Sequence, residues 1–336
     1  HSMLNFALPS NSELHDPSLR FLEACGLPVE RASSRRYTGT ISGLPQVQVL
    51  FQRSADIPSK VEEGSADLGI VGLERFYEDR LDGGAAVILV EDLGYGQCEL
   101  VVAVPDAWID VTSIADLADL AVAWREQGRE LRVVTKYQRL VKRFFYRHGV
   151  YYFSSVEAAG AMEAAPTMGY ADVIVDITAT GVTLRENHLK TLSDGTLVRA
   201  QACLIGNRQA LKQDPAKLEA TRVILERFEA RRRASRFLSL TANLHGESEA
   251  SVAEQVTRMP ELAGLQGPTL GRVYGKEHPD QGWYAVTVVI PRERLMAAVA
   301  HFRSVGGSGI SVTSPGYLFE GECLAYQNLL RELARG

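Results

Sequence analysis

The chain has 336 residues and a formal net charge of -5. Its 46% hydrophobic and 23% charged residues are typical of a folded globular protein and exclude a largely disordered chain. The acidic balance excludes the basic surface of a nucleic-acid-binding protein, so an anionic ligand has to be bound by a local arrangement of groups. No apolar run approaches the roughly 20 residues of a membrane span, and we expect no membrane association.

The cysteine pattern indicates a reducing compartment. Four cysteines are spread singly along the chain, at Cys25, Cys98, Cys203 and Cys323. They form no CxxC pair and have no short Cys/His spacing, so we expect neither a zinc site nor a disulfide framework, and a cytoplasmic location. His1 and Ser2, before Met3, are interpreted as a cloning remnant, and no secretory signal is recognised.

Short apolar strands alternate with helical patterns over the first two thirds of the chain. A helix over 17–25 ends at Gly26, a common residue after a helix end. The predicted strands are 4–8, 47–51, 67–72, 86–90, 98–104, 131–135, 151–153 and 172–177. Strands separated by helices indicate an α/β architecture with mainly parallel sheets.

Residues after about 209 follow a different pattern. Asp214 and Pro215 are typical first residues of a helix, which carries the run 231–233 of three arginines. That run predicts either a solvated helix face or a binding patch. The elements that follow are a strand at 237–240, a helix at 248–259, strands at 269–273 and 283–290, a helix at 293–304 and a strand at 309–313. This β-α-β-β-α-β order predicts a separate ferredoxin-like domain.

The stretch from Asp172 to Arg185 carries the clearest functional pattern. A β-branched run with the composition of a buried parallel strand breaks into the turn 178–183, which contains three threonines and Gly181. The amino end of the helix that follows would bind a phosphate through backbone N–H groups. Asp176, at the carboxyl end of the strand, could accept hydrogen bonds from two ribose hydroxyls. The alternative is an ordinary strand-to-helix turn in which the threonines only cap the helix.

The segment 175–187 resembles the phosphoribosyl-diphosphate loop of ATP phosphoribosyltransferase, the first enzyme of histidine biosynthesis. Further segments match that family in order, at 56–74, 94–100, 135–137 and 160–166. The segments 259–269, 283–286 and 306–310 are similar to the ACT-like regulatory domain of the family's long form. The resemblance implies an α/β fold of two lobes, like a bilobal periplasmic binding protein, with a C-terminal ferredoxin-like (ACT-like) α+β domain. We expect lobe I at 4–105 and 180–212, lobe II at 106–179 and the regulatory domain at 230–325.

The resemblance also implies the reaction. N1 of the ATP adenine attacks C1 of phosphoribosyl diphosphate and displaces pyrophosphate through an oxocarbenium-like transition state. Mg²⁺ on the diphosphate would neutralise the leaving charge, but the sequence assigns no residues to a metal. The expected protein is a homo-oligomer, from dimer to hexamer, with histidine as an inhibitor bound between ACT-like domains of neighbouring subunits.

Site residues follow from the matched positions. The resemblance assigns catalytic roles to Asp176 and Lys136. The substrate-binding candidates are Arg53, Asp67, Glu74, Glu163, Asp172, Thr178, Ala179, Thr180, Gly181, Val182 and Thr183. The inhibitor contacts carried over from the family are Asn243, Leu265, Thr269, Val289 and Gly309. Simple surface charge remains the alternative for Arg53 and Lys136, a helix cap for Glu163 and a strand-start hydroxyl for Thr269.

The sequence departs from the family pattern in three places. A Lys-Gly-Arg run usually follows the first strand, but Asn11, Ser12 and Glu13 stand there, which puts the ATP contacts in doubt. Ala161 replaces a common serine, and Asn243 stands where the family often has a carboxylate. The first departure keeps open a non-catalytic sensor of the same fold. An exported solute-binding protein would share the lobes, but it would not need the phosphate turn.

Overall fold

The computed structural model describes residues 2–158 and 160–335. His1, part of the segment interpreted as a cloning remnant, lies outside the described residues. The chain divides into two compact units, His1–Thr221 with Asn328–Gly336, and Arg222–Gln327. None of the described helices is long and apolar enough to cross a membrane.

The first lobe of the larger unit begins the chain. Its first six strands are β1 (Leu4–Pro9), β2 (Val29–Glu30), β3 (Thr38–Ile41), β4 (Leu44–Gln52), β5 (Leu68–Gly72) and β6 (Ala86–Val90). The helices between them are α1 (His15–Ala24), α2 (Ile57–Glu63) and α3 (Leu73–Asp79). Strand β1 pairs in parallel with β4 and β5, so the carboxyl ends of these three strands lie at one edge of the sheet.

The second lobe is a five-stranded sheet in the order β11-β7-β10-β8-β9. Its strands are β7 (Cys98–Pro105), β8 (Leu131–Thr135), β9 (Phe153–Val156), β10 (Val173–Thr178) and β11 (Leu189–Ala200). Its helices are α4 (Ile114–Glu126), α5 (Gln138–Arg147), α6 (Ala165–Met168) and α7 (Val182–Glu186). Strands β8 and β10 are parallel, whereas β7 pairs antiparallel with both β10 and β11.

The chain then returns to the first lobe. Strand β12 (Ala202–Asn207) inserts antiparallel between β5 and β6 and completes a seven-stranded sheet. Only Gln201 separates β11 from β12, so the chain crosses between the sheets in one residue. The predicted lobe boundaries at 105 and 180 are therefore wrong, because β7 and β11 hydrogen-bond within the second sheet. The expectation of mainly parallel sheets is also wrong, since both sheets are mixed.

Two helices lead out of the larger unit. These are α8 (Arg208–Gln213) and α9 (Pro215–Ala234). The Asp214 carboxylate accepts hydrogen bonds from the N–H groups of Ala216 at 3.0 Å and Lys217 at 3.3 Å, so the predicted helix start is confirmed. The Arg231 guanidinium of the arginine run donates to the carbonyl of Gly316.

The smaller unit has the predicted β-α-β-β-α-β order. Its elements are β13 (Phe237–His245), α10 (Glu249–Thr257), β14 (Thr269–Val273), β15 (Trp283–Pro291), α11 (Leu295–Ser304) and β16 (Ser308–Thr313). The last helix, α12 (Leu324–Ala334), belongs to the larger unit from Asn328 onward. The antiparallel strands lie in the order β14-β15-β13-β16. Residues of β13 and β15 such as Leu240 and Val288 pack with Val252 of α10 and Phe302 of α11. The helices therefore cover one face of the sheet.

Candidate active site

Charged groups from both lobes approach one another where β5, β8 and β10 end. Lys136 directly follows β8, and Asp176 lies near the end of β10. Burial raises the pKa of the Asp176 carboxyl to about 6, although the N–H of Ile177 donates to Asp176 Oδ1 at 2.8 Å and opposes the rise. The charges of Glu163 and Glu13 raise this pKa further, and Lys136 lowers it. These residues therefore share one electrostatic environment.

The direction of the Asp176 side chain follows from the period-two alternation of β10. Ile174 packs with Met162 and Leu184, whereas Val173 and Val175 pack into the core on the other face of the sheet. Asp176 therefore points to the face that carries the short 3₁₀ turn containing Glu163. Neither that turn nor α6 has a side-chain cap, so the cap alternative for Glu163 has no support.

Glu74 is the buried acid of the site. It begins α3 directly after β5, and its carboxylate lies over Gly72, where a methyl group would overlap it. Burial raises the pKa of the Glu74 carboxyl, while Arg75 opposes the rise. Cys98 Sγ lies 4.0 Å from Glu74 Oε2, and burial together with this carboxylate raises the pKa of the Cys98 thiol to about 12. A raised pKa favours the neutral thiol over the thiolate at neutral pH.

The turn after β10 has the predicted geometry of a strand-to-helix turn. Gly181 has a φ of 77°, the left-handed region that favours glycine, and it directly precedes α7. Its N–H donates to Thr178 Oγ1 at 3.0 Å, and the N–H of Val182 donates to Thr180 Oγ1 at 3.5 Å. Thr178 thus holds the turn in shape. Ala179, Thr180, Val182 and Thr183 are exposed, and the first N–H groups of α7 have no partner within the helix.

Arg75 is a residue that sequence reasoning missed. Its guanidinium group donates to the carbonyl of Lys136 at 3.3 Å, lies 4.6 Å from the ring centre of Tyr137 and pairs with Asp79 at 3.5 Å. Arg75 thereby ties the start of α3 in the first lobe to the loop that carries Lys136 in the second. Nothing in the sequence pairs these positions, since they lie on separate sheets.

A second link between the lobes, the α3–α5 contact, joins Glu78 and Arg139. The buried Glu78 carboxylate accepts from the N–H groups of Arg139 at 2.8 Å and Leu140 at 2.9 Å, which are free donors at the amino end of α5. The Arg139 guanidinium donates to the carbonyls of Glu78 at 3.0 Å and Arg80 at 2.9 Å, at the carboxyl end of α3. The dipole of α5 favours the Glu78 carboxylate at its amino end, and the dipole of α3 favours the Arg139 guanidinium at its carboxyl end.

Two predicted substrate contacts lie away from the residues gathered around Asp176. Asp67 precedes β5, at the opposite end of the strand from Glu74, and accepts from Lys217 Nζ at 2.9 Å and from the N–H of Asn5 at 2.8 Å. Asp172 precedes β10 and accepts from the backbone N–H of Arg132 at 2.9 Å as well as from its guanidinium group. Both carboxylates are buried and fully engaged by these partners, so they stabilise the fold.

No protein-only metal site is present in the part of the chain that the structure describes, because no three His, Cys, Asp or Glu side chains come together as ligands. Magnesium bound to phosphates usually takes only one or two protein carboxylates.

The predicted inhibitor contacts lie in the smaller unit. Asn243 of β13, Thr269 of β14 and Val289 of β15 lie on the sheet face opposite α10 and α11. Asn243 and Val289 alternate with buried residues along their strands. Thr269 pairs with Thr287, which lies on the same face. Gly309 adjoins Asn243, whose Nδ2 would be 3.1 Å from a methyl group at Gly309. Leu265 is exposed in the loop before β14. On the same face, the hydroxyls of Thr241 and Thr287 are 2.9 Å apart.

Comparison with known proteins identifies the family. The family model described as ATP phosphoribosyltransferase matches residues 53–230, and the model described as HisG, C-terminal domain, matches residues 234–314. The chain belongs to the ATP phosphoribosyltransferase family. Because both models match, it is a long-form member of this family.

Relatives of this ATP phosphoribosyltransferase family member match along nearly its whole length. It is 36% identical to ATP phosphoribosyltransferase 1, chloroplastic, of Arabidopsis thaliana, over 98% of this chain and 81% of the relative. It is also 36% identical to the ATP phosphoribosyltransferase of Bradyrhizobium sp. (strain ORS 278), over 95% of each chain. The solved ATP phosphoribosyl transferase (HisG:HisZ) complex from Thermotoga maritima has a similar fold, with a TM-score of 0.52 and 23% identity, over 67% of this chain and 96% of that chain.

The stretch that departs from the family's Lys-Gly-Arg run carries one negative charge where that run carries two positive charges. Ser12 has a φ of 90°, a conformation that favours glycine, and it stands where the family pattern has glycine. Its hydroxyl lies 3.1 Å from that of Ser54, next to Arg53. Arg53 is itself mostly exposed and pairs with Asp56 at 3.1 Å. Glu13, in place of the family arginine, adds negative charge near Asp176.

Proposed function

We propose that this chain transfers the phosphoribosyl group of phosphoribosyl diphosphate to N1 of the adenine of ATP and releases pyrophosphate. The observation that carries the proposal is the position of Asp176 directly before the turn 178–183 at the carboxyl end of β10. Family membership supports the same activity, because the relatives that match along the whole chain bear the name of this transferase. The sensor alternative is therefore not favoured.

Asp176 and the turn have complementary roles in this proposal. The Asp176 carboxylate accepts hydrogen bonds from the ribose hydroxyls. The first N–H groups of α7 and the exposed hydroxyls of Thr180 and Thr183 donate to the 5-phosphate, and the helix dipole favours its negative charge. Gly181 carries no side chain of its own, and the Arg185 guanidinium lies beside it, where Nη1 would be 3.0 Å from a methyl group at Gly181. Binding both ends of one sugar fixes the position of C1 relative to the adenine, which supplies much of the rate acceleration in a two-substrate reaction.

The acidic character of the site suits the charge that develops during the transfer. As the bond from C1 to the diphosphate breaks, the ribose becomes cationic, and the carboxylates of Asp176, Glu163 and Glu13 stabilise it. The same carboxylates repel the leaving diphosphate. We therefore propose that the diphosphate enters as its Mg²⁺ complex, which supplies charge neutralisation, and that Lys136 binds it. Lys136 is exposed directly after β8, beside the position of Asp176.

A pyrophosphate-release assay with ATP and phosphoribosyl diphosphate tests the proposal. The parent chain should release pyrophosphate only when both substrates are present, and Asp176→Asn should lower kcat/KM by at least 100-fold. Asp119→Asn is the matched control, because Asp119 is exposed on α4, on the opposite face of the same sheet. Absence of pyrophosphate release by the parent, or full activity of Asp176→Asn, would contradict the proposal.

We further propose that histidine inhibits the enzyme by binding at the sheet face that carries Asn243 and Thr269, between regulatory units of a symmetric homo-oligomer of two to six subunits. Support comes from the convergence of these positions on one uncovered face and from the match to the family's C-terminal domain. A chain shortened to Arg208 would lose Lys217 and leave the buried Asp67 carboxylate unpaired. Point variants of the full chain are therefore the cleaner test.

Asn243→Ala should abolish inhibition by histidine without changing turnover in its absence. Asn328→Ala on α12 is the matched control, since Asn328 lies outside the regulatory sheet. Light scattering with and without histidine reports the oligomer. Inhibition that survives Asn243→Ala unchanged would contradict the assigned site.

A cytoplasmic location is also proposed here, although the matched relatives include two plant proteins whose names place them in chloroplasts.

A further inference from the structure

A cavity of about 260 Å³ lies between residues of the first and second lobes, along α5 and the end of α3. Its walls come from the end of α3, one face of α5 and strand β11. The lining residues are Tyr77, Arg80, Leu140, Arg143, Phe144, Arg147, Leu197 and Val198. None of them belongs to the site around Asp176. Arg80 follows Glu74 by six residues, about 9 Å along a helix axis.

Three arginines line this cavity, and none of them has a carboxylate partner among the described residues. Within residues 2–158 and 160–335, Arg143 and Arg147 form no ion pair, and the Arg80 guanidinium lies 5.0 Å from the ring centre of Tyr77. Arg143 and Arg147 are one helical turn apart, so their like charges repel. The helix dipoles favour Arg147 in the last turn of α5 and Arg80 at the carboxyl end of α3, but they do not account for Arg143, which lies one turn before Arg147.

The remaining walls are apolar and partly aromatic. Leu140, Phe144, Leu197 and Val198 lie among the charged groups, and Tyr77 contributes a second ring. A cavity of about 150 Å³ is large enough for a benzene ring, so this one has room for a ring with an anionic substituent. We propose that the cavity binds a small aromatic phosphate, with the phosphate between Arg80, Arg143 and Arg147 and the ring against Phe144 and Leu197.

The position of the cavity gives such a ligand a route to the active site. It would contact both helices of the α3–α5 contact, in which Glu78 and Arg139 join the two lobes. The amino ends of the same helices follow Gly72 and Tyr137, beside Glu74 and Lys136. A ligand that bridges the helices stabilises the lobe arrangement observed, by linkage.

Phenyl phosphate is a suitable probe, and isothermal titration into the full chain measures its binding. The titration is done in the Gly181→Val variant, so that the proposed phosphate turn of the catalytic site does not contribute. Arg143→Gln/Arg147→Gln should weaken binding at least tenfold, because two charge-assisted donors are removed from exposed positions that do not support the core. Lys142→Gln is the matched control, since Lys142 is exposed on the same helix and does not line the cavity.

Inorganic phosphate is titrated in parallel and should bind more weakly than phenyl phosphate if the apolar wall contributes. The proposal is overturned by any of three results. These are no saturable binding of phenyl phosphate by the Gly181→Val chain, equal affinity with and without Arg143→Gln/Arg147→Gln in that chain, or an equal loss of affinity with Lys142→Gln. Pyrophosphate release by the Gly181→Val chain tests the catalytic proposal and does not test binding in the cavity. Either proposal can therefore be refuted without the other.

Discussion

Replacement of Asp176 by asparagine should stabilise the free protein while it removes the proposed catalytic group. The folded protein holds the Asp176 carboxyl in a site that raises its pKa from 3.8 to about 6, chiefly because burial disfavours the charged form. At neutral pH the folded chain therefore carries an ionised group in an unfavourable place. Asparagine has the same shape and can still accept the N–H of Ile177, but it carries no charge.

The magnitude follows from the pKa. Each pH unit between the folded and unfolded values is worth about 1.4 kcal/mol, so the raised pKa of Asp176 corresponds to about 2–3 kcal/mol at neutral pH. Between pH 4 and pH 6 the folded state binds more protons than the unfolded state. The stability of the parent therefore falls as pH rises through this window, whereas that of the variant does not. Above pH 6 the difference is constant.

Thermal unfolding of both proteins at pH 4 and pH 7.5 measures this effect. For a unit of about 200 residues, 2–3 kcal/mol corresponds to a rise in Tm of about 5–10 °C. The variant should show this rise at pH 7.5 and little difference at pH 4. Asp119→Asn, on an exposed surface, should show none at either pH. If Asp176→Asn is no more stable than the parent at pH 7.5, burial of charge at Asp176 is refuted.

Four further changes test other parts of the structure. Ser12→Gly should raise the free energy of unfolding by about 1 kcal/mol in urea denaturation, because glycine adopts a φ of 90° without strain, and an unchanged midpoint would contradict this. Gly181→Val should raise KM for phosphoribosyl diphosphate far more than KM for ATP, and equal effects on both would remove the turn from the phosphate site. Glu78→Ala should lower the free energy of unfolding by about 1–3 kcal/mol, because two N–H donors of α5 lose their acceptor. A loss no greater than that of Glu157→Ala, at an exposed position, would contradict this role of Glu78. Asn243→Asp should tighten histidine binding in titration, since a full charge would face the ligand's amine, and weaker binding would count against the assigned pose.

The sequence predicted most strands but not the path of the chain between the lobes. Strands 86–90 and 131–135 have the predicted bounds, because their apolar runs are continuous. Strand β11 was missed because its pairing with β7 shifts register between Thr191 and Thr196, and the polar residues there interrupt the alternation. Without β11, the direct step through Gln201 into β12 could not be predicted. The predicted boundary at 105 therefore lies too late in the chain, after β7, and the boundary at 180 lies too early, before β11.

The position of a charged residue could be predicted from the sequence when the residue lies at the carboxyl end of a strand. It could not be predicted when an acidic residue comes before the strand. Asp172 and Asp176 bracket the same strand, but parallel strands gather only their carboxyl ends at the ligand edge. Asp172 instead meets Arg132 at the other end of the sheet. The same reasoning separates Asp67 from Glu74. Local sequence could not supply Arg75, because its partner carbonyl belongs to Lys136 on the other sheet.

The run Asn11-Ser12-Glu13 after β1 differs from the family pattern in its charge. Ser12 has a φ of 90°, and its hydroxyl lies 3.1 Å from that of Ser54. Glu13 there raises the pKa of Asp176 and of Cys98, which a cation would lower. An enzyme with this arrangement stabilises a cationic ribose more strongly and a free diphosphate less strongly. Pyrophosphate release should therefore depend on a divalent cation bound to the diphosphate, and omission of Mg²⁺ from the release assay tests this expectation.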